Sequence, residues 1–258
     1  MEWIVLGSGT AVPHAQRASS AHWLATANGT LLLDAGCGVA TRLAQEGLDW
    51  PNLDAIWISH FHLDHLGGLP PFLFGTRHAP QTQNRTKTLN IFGPVGLRAL
   101  LDAFDAAGHY KLFRQPFPLA VHEVTTESEC EILPGLGARF LKTPHTADSL
   151  AVRLSETGGA SVVFTSDTGY TTELGSFARD CDLLAIECSF PRDNPTAKHL
   201  ELSDVLRIVE TARPRATLLT HLYPEWDAIC LNEALRQRNV HPPAEMIEAE
   251  DGLRLQIV

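Results

Sequence analysis

No run of apolar residues in this 258-residue sequence reaches the ~18 that a membrane-spanning helix needs. The N-terminal stretch MEWIVLGSGTAVP has no basic segment and only a short apolar run before Gly7, so no signal peptide is expected. Cysteine is sparse and unpatterned: Cys37, Cys130, Cys181, Cys188 and Cys230 are odd in number and never form C-x-x-C. That pattern excludes a disulfide framework or a zinc ribbon and predicts reduced thiols in a cytoplasmic protein. Positive charge is short as well, with 20 Lys and Arg against 30 Asp and Glu and a formal charge of −10. Proteins that live on phosphate backbones concentrate Lys and Arg, so the balance argues against that mode of life. No G-x-G-x-x-G opens a helix after Gly7-Ser8-Gly9, so the N-terminal loop is not a dinucleotide fingerprint. Linkers, low-complexity tracts and charge runs are absent too, and one domain spanning residues 1–258 is expected.

What is there is globular. Hydrophobic residues make up 44% and charged residues 19%, and a chain this long buries roughly 70–75% of its unfolded surface. Trp3–Leu6 reads as a strand stopped at Gly7. His22–Ala27 and Thr30–Asp34 flank Asn28-Gly29, a strong hairpin signal. Val39–Glu46 is helical, Asp54–Ser59 a buried strand, Leu89–Phe92 a strand and Val95–Ala107 an amphipathic helix. The second half repeats the rhythm. A strand ends at Thr143, and Leu150–Leu154 and Ser161–Thr165 flank Gly158-Gly159 as a second hairpin. Leu183–Glu187, Thr217–Thr220 and Leu253–Val258 read as strands, with helices over Thr172–Ala178, Leu202–Ala212 and Glu225–Arg236. Two halves of this kind suggest two packed sheets with helices outside.

Histidine is the residue in excess, 12 in all, and placement matters more than number. His60, His62, Asp64 and His65 lie in HFHLDH, directly after the buried strand DAIWIS. Imidazole and carboxylate are first-choice ligands for zinc and related divalent metals. His60 and His62 alternate with Phe61, so an extended segment points both rings the same way. Asp64 and His65 then sit where a helix begins and face a neighbouring point, which favours two adjacent metals. Three further strand ends each carry one ligand-type residue: His145 after FLKTP, Asp167 after VVFTS and His221 after TLLT. His14, His22, His78, His109, His122 and His241 lack such spacing and read as surface or core histidines.

HFHLDH followed by His145, Asp167 and His221 resembles the metallo-β-lactamase superfamily, and Asp34 in LLLDAGCG matches that superfamily's upstream motif. The resemblance covers nearly the whole chain. It implies an α/β fold, a four-layer αββα sandwich with a dinuclear site at one edge of the sheets. It also implies the allocation of ligands: His60, His62 and His145 on one metal, Asp64, His65 and His221 on the other, Asp167 bridging, and Asp34 supporting the loops. Zinc is the default for so His-rich a set, with manganese or iron as alternatives.

Within the superfamily, LLAIECSF with Glu187 and AKHLELSDV with His199 are similar to the late motifs of ribonuclease Z-type phosphodiesterases. There a Glu and a His pair beside the metals and serve the scissile phosphate or the leaving oxygen. The resemblance therefore implies a metal-dependent phosphodiesterase in which Asp64 also orients or deprotonates water and Glu187 holds His199. Ribonuclease Z enzymes carry a long tRNA-clasping arm, and no insertion here is long enough. The segment GTRHAPQTQNRTKT, residues 75–88, reads either as a substrate-facing flap or as a solvated loop. Small or short phosphodiesters are thus expected as substrates ahead of tRNA. The alternatives are tRNA 3′-end endonuclease and another hydrolase of the same fold, such as a lactonase, thioesterase or β-lactamase. Dimerisation through sheet or loop edges would be typical of the resemblance.

Overall fold

The computed structural model describes residues 1–238, 242 and 244–258. Its first half runs β1 (Glu2–Gly7), β2 (Ala21–Thr26), β3 (Gly29–Leu33), α1 (Val39–Gln45), β4 (Ala55–Trp57), a helical turn α2 (Leu63–Leu66), α3 (Leu69–His78), β5 (Leu89–Pro94), α4 (Leu97–Gly108) and β6 (Leu119–Val124). The second half runs β7 (Glu129–Leu133), β8 (Leu136–Lys142), β9 (Leu150–Glu156), β10 (Ser161–Phe164), α5 (Thr172–Phe177), β11 (Leu183–Glu187), α6 (Leu202–Ala212), β12 (Ala216–Thr220), α7 (Leu231–Gln237), β13 (Glu245–Glu248) and β14 (Arg254–Gln256).

Two seven-stranded sheets result, ordered β14-β1-β2-β3-β4-β5-β6 and β13-β12-β11-β10-β9-β8-β7. Each begins with antiparallel hairpins and turns parallel where helices enter: at β3–β4 in the first sheet and at β10–β11 in the second. Both hairpins expected at Asn28-Gly29 and Gly158-Gly159 form. The inner strands are buried on both faces, as parallel strands between two apolar layers must be. In β1, Trp3 and Val5 point into the interior between the sheets, and Ile4 and Leu6 point to the helices. The shared interior also takes Trp57, Phe140, Val152 and Phe164. Helices α1, α3 and α4 cover the first sheet, and α5, α6 and α7 the second. The layers therefore run helix, sheet, sheet, helix.

Three sequence readings are amended. The helix read over Glu225–Arg236 divides: Pro224–Trp226 is a short 3-10 turn, Cys230 is extended, and the α-helix begins only at Leu231. β6 and β7 escape the sequence because they are partly exposed edge-region strands, so an apolar run never forms. The 75–88 segment is the end of α3 plus a 3-10 turn, and its cations are engaged internally. Arg85 is buried and donates to the carbonyls of Pro51, Leu53, Lys87 and Thr88, with its guanidinium 4.6 Å from the Phe117 ring centroid. Lys87 pairs with Asp54. None of these residues lines the cleft described below. Among the described residues, no helix is long and apolar enough to cross a membrane.

Candidate metal centre

The site collects where strands end. β3 runs into Asp34, β4 into Ser59 and His60, β8 into His145, β10 into Ser166 and Asp167, β11 into Glu187, and β12 into His221. Parallel neighbours share a direction, so their carboxyl ends gather at one rim, where open α/β sheets bind ligands. Three residues on this rim hold left-handed backbone without being glycine: Asp34 (φ 57°), Ser166 (φ 48°) and His221 (φ 56°). Such strain clusters at functional sites because surrounding bonds must enforce it. Asp34 shows the enforcement. Its carboxylate accepts from Ser59 N at 2.8 Å, Ser59 Oγ at 2.9 Å and His65 Nδ1 at 2.7 Å. Gly36, two residues on, is needed for close approach: a Cβ there would lie 2.3 Å from the Asp64 carbonyl oxygen.

The seven ligand-type residues come together in two groups that share Asp167. His60, His62, His145 and Asp167 offer donor atoms within 4.8 Å of one another, and so do Asp64, His65, Asp167 and His221. Asp167 Oδ2 lies 3.5 Å from His145 Nε2 and 3.8 Å from His60 Nε2. Its other oxygen, Oδ1, lies 3.2 Å from His65 Nε2 and 3.3 Å from His221 Nε2. One carboxylate thus faces both groups. The remaining distances are equally short, with His62 Nδ1 3.1 Å from His145 Nε2 and Asp64 Oδ2 3.3 Å from His221 Nε2.

A divalent cation suits these atoms better than protons do. His60 Nε2, His65 Nε2 and Asp167 Oδ1 are buried and make no hydrogen bond. Orphaned buried polar atoms are costly and uncommon. Three of them converging on one space is the pattern that cation ligands leave. The second nitrogens of the rings are held elsewhere, as in metal sites with tuned ligands. His65 Nδ1 faces Asp34, His145 Nδ1 donates to the Lys198 carbonyl at 2.9 Å, and His60 Nδ1 lies 3.1 Å from Ser59 Oγ.

Electrostatics agree for every shifted ligand except His65. Burial opposes ionisation of Asp167, but His221 and His65 outweigh it and hold the carboxyl well below its usual range. Asp64 is likewise pulled down by His221 and His65 against burial. Burial and neighbouring His65 push the His60 pKa well down, and burial lowers that of His145, which favours the neutral, ligating form. His65 goes the other way: against burial, Asp167 and Asp34 raise it.

Glu187 and His199 stand beside the second group. Glu187 is fully buried and its Oε1 lies 3.0 Å from His199 Nδ1. The His199 ring stacks on His221 at 5.4 Å and sits 4.8 Å from His145. Burial lowers and Glu187 raises the His199 pKa, and the net direction is up.

Above these groups opens a cleft of about 830 Å³, walled also by Val12, His14, Arg17, Cys37, Leu63 and Tyr223. Sequence spacing could not find His14, because its partner Asp227 lies 213 residues away at 2.9 Å. Arg17 shares that carboxylate. Ser8 and Thr10 do not line the cleft. Ser8 instead donates to Asp251 at 2.8 Å and braces the loop that does. His22 is a core residue, packed between Trp3 (tilted) and Phe164 (edge-on), and burial pushes its pKa down to about 3. His241 lies outside the described residues. All five thiols are free, and burial raises those of Cys181 and Cys188, consistent with inert packing.

Comparison with known proteins follows the same lines. The probable metallo-hydrolase YhfI of Bacillus subtilis is 29% identical over 224 residues, covering 86% of this chain and 87% of that protein. The crystal structure of YhfI, described as a metallo-β-lactamase fold protein, matches with a TM-score of 0.78 at 26% identity over 98% of each chain. A ribonuclease Z of Mycobacterium sp. (strain KMS) is 28% identical and is covered, like this chain, over 98% of its length. The short form of human tRNase Z matches with a TM-score of 0.75 at 23% identity over the full length of both chains, a likeness of fold. Residues 1–237 match the family described as "Anti-Pycsar protein Apyc1". With so much of its length matched, the chain belongs to the Anti-Pycsar protein Apyc1 family and is a metal-dependent hydrolase of the metallo-β-lactamase fold.

Proposed function

We propose that the protein is a dinuclear phosphodiesterase acting on small or short phosphodiesters. The observation that carries this reading is the Glu187–His199 pair, 3.0 Å apart, in which buried Glu187 holds His199 on the cleft wall beside both donor groups. Hydrolysis of a diester needs an attacking water on one side of phosphorus and an answer to the departing alkoxide on the other. His60, His62 and His145 would hold one cation, Asp64, His65 and His221 the other, and Asp167 both. Zinc fits the His-rich set, with manganese and iron as alternatives. When bound, such cations supply acidity to water and neutralise charge on phosphate. Asp64, on the cleft wall, would orient that water and take its proton. His199, with Nδ1 engaged by Glu187, keeps Nε2 for the leaving oxygen and would donate its proton there. We further propose that residues 1–258 work as one domain, supported by the interior that both sheets share, and that the free thiols fit a cytoplasmic setting.

Protein saturated with zinc should approach two equivalents by elemental analysis. His221→Ala should bring the ratio toward one. A wild-type ratio that stays at one under saturation would sink the dinuclear assignment.

Substrate size is read from charge. Each phosphate contact made by a long RNA needs a cation, and affinity then falls steeply with salt. The chain carries −10. Arg17, the guanidinium on the cleft wall, is already paired with Asp227. A panel of bis-aryl phosphodiester, aryl monoester, lactone, β-lactam and precursor tRNA decides the matter. The diester should give the highest kcat/KM at physiological salt. Accurate cleavage of the precursor at its 3′ junction, more efficient than diester hydrolysis, would establish a tRNA endonuclease instead.

A further inference from the structure

We propose that Ser189 is a positioning residue that orients the His221 imidazole and ties it to the Glu187–His199 pair; this rests on the reading of His221 as a metal ligand. Ser189 is fully buried just beyond β11. Its Oγ lies 2.7 Å from Glu187 Oε2, 3.1 Å from His221 Nδ1 and 3.3 Å from His199 Nδ1.

The direction of these bonds follows from the donors whose direction is not in doubt. Glu187 Oε1 accepts the Thr168 amide at 2.7 Å, and Oε2 accepts the Leu200 amide at 3.0 Å. A carboxylate ringed by donors in this way accepts the one proton that Ser189 Oγ has to give. Only lone pairs then remain on the hydroxyl. In the neutral form that a metal ligand takes, His221 therefore donates from Nδ1 and keeps Nε2 bare. That bare nitrogen is the one lying 3.3 Å from both Asp64 Oδ2 and Asp167 Oδ1. The Nδ1 of His199 is nearer to Glu187 Oε1, at 3.0 Å, and donates there.

His60 is held in a similar way, its Nδ1 3.1 Å from the Ser59 hydroxyl, whereas two other rings of the centre are held differently. His65 relies on the Asp34 carboxylate and His145 on the Lys198 carbonyl. At His221 the holding group also touches the proposed proton donor's partner. One hydroxyl therefore fixes both the tautomer of a ligand and the pose of Glu187. Loss of such an outer partner costs metal sites about 10–100-fold in affinity or activity.

The test compares Ser189→Ala, Ser189→Thr and Ser189→Val, with zinc as the probe in competition with a chromogenic chelator. Ser189→Ala should weaken one of the two zinc equivalents by about 10–100-fold and lower kcat on a bis-aryl phosphodiester more than it changes KM. Ser189→Thr keeps the hydroxyl and should bind zinc more tightly than Ser189→Val, which has the same size without it. In zinc-loaded protein labelled with 15N-histidine, the Nδ1–H proton of His221, assigned by its loss in His221→Ala, should be shielded from exchange with water. That shielding should be lost in Ser189→Ala. A packing role would leave that signature unmoved. If Ser189→Ala fails to fold, the Thr and Val pair carries the same contrast. Wild-type zinc affinity and an unchanged His221 signature in Ser189→Ala, or equal affinity in Thr and Val, would overturn the proposal. His221→Ala separates the two levels: if it too keeps both equivalents, the ligand assignment itself fails, whereas loss there with none in Ser189→Ala defeats only the serine's role.

Discussion

His199→Ala should hydrolyse phosphodiesters about 10²–10³-fold more slowly than the wild type at saturating substrate, the usual loss for a general acid or an electrostatic stabiliser. Metal content should not change. The separation between the two readouts comes from geometry. His199 meets the ligand rings by ring contact, stacked 5.4 Å from His221 and tilted 4.8 Å from His145 between centroids, while its Nδ1 goes to Glu187. Truncation therefore removes the group that serves the leaving oxygen and leaves both sets of donor atoms in place. A substrate with a good leaving group, such as a nitrophenolate, needs protonation least and should be affected least. Wild-type turnover of several diesters, including ones with poor leaving groups, would refute the phosphodiesterase role of the pair. The metal assignment would survive that result.

Asp34→Ala should cost the metal-free protein about 3–5 kcal/mol of stability, the range for removing one partner of a buried ion pair. Asp34 and His65 are both fully buried and 2.7 Å apart. Removal also strands the Ser59 amide and hydroxyl, and an amide without a partner in the interior bears its full desolvation cost. The effect is not confined to stability, because the same carboxylate holds the ring of a proposed ligand. Asp34→Asn separates charge from shape. Asparagine tolerates the left-handed backbone found at this position, φ 57°, so its smaller loss would measure the charge and the one acceptor oxygen that the amide gives up. Urea midpoints in the presence of a chelator are the direct measurement. A shift for Asp34→Ala below about 1 kcal/mol would show that water or a rearranged loop replaces the carboxylate, contrary to the burial seen here.

How much of this could be read without coordinates differs from residue to residue. HFHLDH stood out because its ligand-type residues are adjacent in sequence and follow a strand buried on both faces. His145, Asp167 and His221 could be noticed for a related reason: each ends a short apolar run, and such runs share an edge once the strands align. Arg85 misled because a basic residue in a polar segment looks solvated. It is instead buried, holding four carbonyls, a role set by chain segments that return from elsewhere. His14 misled in the opposite way, since nothing near it in sequence suggests that it walls the cleft.

The hairpins at Asn28-Gly29 and Gly158-Gly159, the buried strands and the inventory of donor groups were legible in the amino-acid order, because turn chemistry, side-chain periodicity and ligand type are local properties of the chain. The resemblance carried by those same motifs extended to the αββα layering. The same resemblance implied a bridging Asp167, and the three-dimensional arrangement adds how it does so, with one oxygen turned to each donor group. That arrangement alone showed that Glu187 and Ser189 meet His199 and His221 beneath the cleft and that Asp227 pins His14 and Arg17 into its wall. The physical reason is the same in each case. Hydrogen bonds and coordination depend on directions and on distances of a few ångströms between atoms that lie tens to hundreds of residues apart along the chain, and sheet registry and helix packing set those distances.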